Sequence, residues 1–122
     1  MKKILFIEDE PTLQKTLEAV LEADNFKMVS ATDGESGLRL AHSEKPDLII
    51  LDLILPGRHG LDVLKNLKED NATKDIPVII LTNLEEPKNI ETALELGATT
   101  YLVKASYSLE EVADKIKKVI QS

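Results

Sequence analysis

The chain has 122 residues, room for one domain with a single sizeable core, and its 43% apolar and 30% charged residues are the balance of a globular protein rather than a disordered or fibrous one. A formal net charge of −7 argues against direct nucleic-acid binding, which needs a basic surface, and the lack of cysteine excludes disulfides and thiolate metal sites. No apolar run is long enough to cross a bilayer, and MKKILFIEDE turns acidic where a signal peptide would stay apolar, so a cytoplasmic protein without membrane contact is expected.

In chain order, five short stretches rich in Ile, Leu and Val alternate with five amphipathic ones, the pattern of a parallel sheet covered by helices on both faces. The first strand is expected at Lys3 to Glu8. A helix follows it from Pro11, tolerated in a first turn, with Leu13, Leu17, Val20 and Leu21 on one face. The second strand is placed at Lys27 to Ala31, and a helix after Asp33-Gly34 turns Leu38 and Ala41 inward. The third strand, Leu48 to Asp52, leads to a helix after Gly60 that carries Leu61, Leu64 and Leu67. After a fourth strand at Val78 to Thr82, a helix from Pro87 to Leu96 is expected to bury Ile90, Ala93 and Leu94 and to stop at Gly97. The fifth strand is Thr100 to Lys104. Ser108 and Glu111 then form a capping box that opens the last helix, with Leu109, Val112, Ile116 and Val119 as its stripe. One domain over residues 1–122 is expected, with no linker, repeat or output module in it.

The third strand lies within PDLIILDLILPG, an apolar run with the carboxylate of Asp52 in its middle. A buried carboxylate without a partner costs several kcal/mol, so cations, donors or an open strand end must accompany it. The other polar residues at strand ends supply these. Glu8 and Asp9 finish the first strand, Thr82 the fourth and Lys104 the fifth, and the carboxyl edge of a parallel α/β sheet is where such residues converge on a ligand crevice. Three gathered carboxylates repel, and without a cation one of them takes up a proton near neutrality. Oxygen donors with no nearby His or Cys favour a hard ion, and few carboxylates with several waters suit Mg²⁺. A carboxylate beside Mg²⁺, an ammonium and a hydroxyl has what an aspartyl phosphate requires, so phosphoryl transfer onto Asp52 is the implied reaction. Taken singly, Glu8 or Asp9 also suits a helix cap before Pro11, and His42 and His59 show no metal-ligand spacing.

The motifs I-E-D-E at 7–10, L-D-L-I-L-P-G at 51–57, L-T-N at 81–83 and Y-L-V-K at 101–104 make the chain resemble, over essentially its whole length, the receiver domain of bacterial two-component response regulators. The resemblance implies a flavodoxin-like (βα)5 fold, a doubly wound parallel sheet with strand order 2-1-3-4-5. It implies Asp52 as phosphoacceptor, Asp9 as direct Mg²⁺ ligand, Glu8 acting through metal-bound water and the Ile54 carbonyl completing the metal site. Thr82 would hydrogen-bond the phosphoryl group, Lys104 would pair with it, and Tyr101 would turn when Thr82 shifts, biasing the face of the fourth helix, fifth strand and fifth helix. The implied partners are a sensor histidine kinase or phosphotransfer protein, then a downstream effector protein, a fused output domain or a second copy in a phosphorylation-dependent homodimer. Such a domain is a phosphoacceptor that assists its own phosphorylation and slow dephosphorylation, not an enzyme.

Two residues depart from the family pattern. Ala105 stands where a proline, often cis, commonly follows the lysine, and a cis non-proline bond costs about 2.5–4 kcal/mol, so a trans or strained loop is expected there. Asn83 stands where a small residue usually follows the threonine. These two keep open the alternative of a receiver-like interaction module that works without phosphorylation. A haloacid dehalogenase type phosphatase would need a second acid where Ile54 stands, and a flavodoxin-like electron carrier would need a Gly/Ser/Thr-rich first loop that is absent.

Overall fold

The computed structural model describes residues 1–121. Five strands and five helices alternate: β1 (Lys3–Ile7), α1 (Pro11–Ala23), β2 (Lys27–Ala31), α2 (Gly34–Glu44), β3 (Leu48–Leu51), α3 (Gly60–Glu69), β4 (Val78–Thr82), α4 (Pro87–Glu95), β5 (Thr100–Val103) and α5 (Leu109–Gln121). All pairings are parallel and the order is β2-β1-β3-β4-β5, so the chain reverses direction of winding at β1 and β3. The flavodoxin-like order implied by the resemblance is borne out.

Parallel strands need crossovers, and helices on both faces leave the central strands buried on both sides. Residues of β3 and β4 are accordingly all buried. One face of the sheet, with Ile4, Phe6, Ile50 and Leu81, packs on Leu17 and Leu21 of α1 and on Val112 and Ile116 of α5. The other, with Leu5, Ile7, Leu51 and Ile80, packs on Ala41 of α2, Val63, Leu64 and Leu67 of α3 and Ala93 of α4. Each fully buried Leu or Ile contributes roughly 1.5–3 kcal/mol.

Local signals in the sequence account for several helix ends. Asp33 caps α2 by accepting from Ser36 N at 2.8 Å. The capping box opens α5 as expected, with Glu111 N donating to Ser108 Oγ (3.1 Å) and Ser108 N to Glu111 Oε1 (2.9 Å). Gly97 follows α4 at φ +108. Neither Glu8 nor Asp9 caps α1; Glu10 is its N-cap, without a side-chain bond. The burial expected of α4 needs correction: Ala93 is buried, Ile90 half-buried, and Leu94 is 47% exposed. Positions 90 and 93 share the inward stripe, while Leu94 lies on a flank that stays exposed.

Three strands stop one residue short of expectation. Glu8 still gives its N–H to Ala31 O (2.9 Å), but its carbonyl accepts from the side-chain Nε2 of Gln14 (2.5 Å), which ends the ladder. Asp52 likewise gives its N–H to Ile7 O (3.1 Å) just beyond β3, and Lys104 opens a short 3-10 turn, Lys104–Ser106, just beyond β5.

Candidate functional site

The register sets Ile7 beside Leu51 and Thr82 beside Val103, so Glu8, Asp52 and Lys104 emerge together at the carboxyl edge, with Thr82 as the last residue of β4. Among the described residues the buried polar side chains are Glu8, Asp52, Thr73 and Thr82. Thr73 is satisfied, its hydroxyl donating to Leu67 O at 2.7 Å. The other three belong to this edge.

Lys104 pairs with the two acids among them. Its Nζ donates to Asp52 Oδ2 at 2.9 Å and lies 2.6 Å from Glu8 Oε1, the latter an ion pair without hydrogen-bond alignment, so that Oε1 has no hydrogen-bond partner. Asp52 Oδ1 accepts from Ile54 N (3.1 Å) and Glu8 Oε2 from Glu10 N (3.2 Å). Burial, opposed by the ion pair with Lys104 and reinforced by the charge of Asp52, raises the Glu8 carboxyl from 4.5 to about 7. Glu8 therefore holds a proton more readily than a free carboxyl does, as crowding of the acids favours. Burial pulls the Lys104 ammonium down, but its bonds to Asp52 and Glu8 outweigh this and hold it above the usual lysine value.

One oxygen each from Glu8, Asp9 and Asp52 lie within 4.8 Å of one another, and Asp9 is exposed, leaving the cluster open to solvent on that side. Among the described residues, Glu8 Oε1 and Thr82 Oγ1 are the buried side-chain polar atoms without a hydrogen-bond partner. Such atoms are rare in folded proteins and ask for an ion, a water or a ligand. An all-oxygen acidic cluster, its buried Glu8 Oε1 held by the Lys104 ion pair alone, fits a hard divalent cation.

Tyr101 lies on β5, half-buried, its hydroxyl donating to Leu84 O at 2.8 Å, and it is thereby tied to the loop that follows Thr82. Burial, then the charge of Asp52, raises its phenol above the ordinary value. Ile54 is 53% exposed beside Asp52. The Lys104–Ala105 bond is trans, as is every peptide bond among the described residues. Ala105 N donates to Asn83 Oδ1 at 3.2 Å, so the two departures from the family pattern touch each other.

Three residues take roles that the sequence reading does not assign. Gln14 Nε2 bridges Glu8 O and Ala31 O (2.5 and 3.1 Å), pinning the ends of β1 and β2; the available signal was a polar residue at the start of the stripe that continues as Leu17 and Leu21. Gly60 sits against the Asp52 backbone, where a Cβ would come 2.4 Å from Leu53 Cα and 2.5 Å from Asp52 O. His59 caps α3, its Nδ1 accepting from Leu61 N at 3.0 Å. His42 instead pairs with Asp70 on the surface, Nε2 to Oδ2 at 2.5 Å.

An open doubly wound sheet that gathers three acids, a lysine and a buried hydroxyl at its carboxyl edge defines a flavodoxin-like protein with an acidic, cation-seeking cleft. The family model of the response regulator receiver domain matches residues 4–117, and the chain belongs to that family. Phosphorylation-dependent signalling in two-component systems is the family's role. The phosphate regulon transcriptional regulatory protein PhoB of Escherichia coli is 38% identical over 120 residues, which cover 98% of this chain and 52% of PhoB. The activated receiver domain of RstA from Klebsiella pneumoniae superposes with a TM-score of 0.90 at 27% identity, covering 99% of this chain and 100% of that one. The receiver domain of sensor histidine kinase PA1611 from Pseudomonas aeruginosa, which holds a magnesium ion in its active-site cleft, gives 0.88 at 26% identity, covering 99% and 98%. The chain spans about half the length of the curated relatives it matches.

Proposed function

We propose that residues 1–122 act as one cytoplasmic receiver domain in which Asp52 accepts a phosphoryl group, with Mg²⁺, from a sensor histidine kinase or phosphotransfer protein. The observation that carries this reading is Lys104 joined to two buried acids at an edge where a buried hydroxyl, Thr82 Oγ1, has no partner. The Thr82 hydroxyl awaits an acceptor that the resting side chains do not supply.

In the transfer, an Asp52 oxygen attacks phosphorus, the P–O bond forms as the P–N bond of the donor phosphohistidine breaks, and the imidazole keeps the electron pair. Lys104 releases Glu8 to pair with a phosphoryl oxygen, and Thr82 Oγ1 gains its acceptor. Asp9 and Asp52 would hold the metal directly, the Ile54 carbonyl would complete its protein ligands, and Glu8 would act through metal-bound water. Mg²⁺, when bound, neutralises the gathered acids and the charge on the phosphoryl oxygens. Movement of Thr82 alters the loop that Tyr101 bonds at Leu84, and the change reaches the face of α4, β5 and α5. That face would meet a downstream effector, a fused output domain or a second copy. The domain signals and turns over no substrate of its own beyond assisting gain and slow loss of its phosphate.

Incubation with acetyl phosphate and Mg²⁺ followed by intact mass measurement tests the assignment. One phosphate increment is expected for the wild type and none for Asp52→Asn. A full increment in that variant would overturn it.

A further inference from the structure

Backbone pairing between β4 and β5 reaches Thr82 and Val103, the residues just before Asn83 and Lys104. Beyond this point nothing in the ladder holds the chain that carries Lys104, although its ammonium must sit between two buried acids on a flexible four-carbon stem. The bond from Ala105 N to Asn83 Oδ1, at 3.2 Å, falls at this point. It ties the residue after Lys104 to the residue after Thr82, so a side-chain carbonyl continues the β4–β5 pairing one rung past its last backbone pair.

We propose that Asn83 is a positioning residue for phosphorylation, acting through the Ala105 N–H to hold Lys104 and Thr82 at a fixed spacing around the incoming phosphoryl group. This rests on the assignment of Asp52 as phosphoacceptor. Asn83 and Ala105 are both exposed, so the tie contributes little to the core, and its effect should fall on the site. The same bond keeps the Asn83 carbonyl turned toward the Lys104 loop. Being held there, the carboxamide does not swing freely over the Asp52 carboxyl, which a bulky residue next to Thr82 would otherwise threaten. A single neutral hydrogen bond that fixes a reacting geometry corresponds to roughly a fivefold change in rate.

The experiment pairs phosphorylation kinetics with amide spectroscopy on the full chain. With acetyl phosphate and Mg²⁺, Asn83→Ala should slow the mass increment roughly fivefold. In an Ala105→Pro background, where no N–H remains to be held, the same substitution should change nothing. In ¹H–¹⁵N spectra the Ala105 amide should move upfield in Asn83→Ala, as a lost hydrogen bond requires, and should keep its downfield position or move further downfield in Asn83→Asp, whose carboxylate is the stronger acceptor. An equal slowing in both backgrounds, an unchanged rate in Asn83→Ala, or an Ala105 amide indifferent to Asn83→Ala would each overturn the proposal. A wild type that takes no phosphate would overturn the assignment of Asp52 and, with it, the positioning role, whereas failure of the amide arm alone leaves Asp52 standing.

Discussion

Replacing Glu8 by Gln should remove a pH dependence from the stability of the metal-free protein. Glu8 is 1% exposed, and burial raises its carboxyl from 4.5 to about 7 against the opposing bond to Lys104. The folded protein therefore keeps a proton on Glu8 over a range in which the unfolded chain has already lost it. The stability that this provides is complete below pH 4.5, falls as pH rises, and is gone above about 7. Each pH unit in that window is worth ~1.4 kcal/mol, so the whole window carries about 3 kcal/mol, a large share of a small domain's stability. Gln has nearly the same shape and no proton to lose. Urea melts of both proteins at pH 5.5 and 7.5, clear of the pI near 4.8, should show the variant gaining on the wild type by about 2 kcal/mol. Lys104, whose value is raised from 10.5, titrates above this range and leaves the comparison untouched. Saturating Mg²⁺ should shrink the gain, because a cation favours the ionised Glu8. Stability differences that agree at the two pH values to about 0.5 kcal/mol would refute the reasoning.

In Mg²⁺ titrations, Asp9→Asn should lose more affinity than Glu8→Gln, since a direct carboxylate contact is harder to replace than one through water; the reverse order would contradict those ligand roles. The aspartyl phosphate should be long-lived, because Ile54 and Leu84, two residues beyond Asp52 and Thr82, offer no polar atom on their side chains to orient an attacking water. Phosphate loss from an Ile54→Asn, Leu84→Glu double variant should be faster, and an equal or slower loss would remove the aliphatic pair as the cause. Gly60→Ala, although favoured by helix propensity by up to ~1 kcal/mol, should destabilise by about 2 kcal/mol, since its Cβ would meet the backbone of Asp52 and Leu53, which cannot rotate away. A higher melting temperature would show that this backbone has room.

The architecture was legible because each strand is a short apolar run between amphipathic segments, and a parallel sheet gathers the ends of such runs at one edge. That principle alone brings Glu8, Asp52, Thr82 and Lys104 together. Strand order was different in kind, since alternation fits several windings and only the motif resemblance selected 2-1-3-4-5. Leu94 was misjudged because helical spacing marks a face without stating how far the sheet beneath it extends. Gln14 and Gly60 were passed over for a shared reason: their roles lie in contacts to backbone atoms of distant segments, Glu8 O and Leu53 Cα, which leave little trace in side-chain patterning. The bond between Asn83 and Ala105 was hidden likewise, though both had stood out as departures.

Glu8, Asp52 and Lys104 each stand one residue past the end of a strand, while the strands themselves are filled with Ile, Leu and Val. The residues proposed for chemistry and those that build the sheet therefore occupy different letters of the sequence, with Thr82 the exception inside β4. Mutational drift can erase the reaction without melting the sheet. A lineage that no longer needs phosphate can keep this scaffold, its helical faces and any partner that reads them, and rewrite only the rim. The converse also holds, for a new set of side chains at the same four loops can be tried on a frame whose apolar core they do not fill.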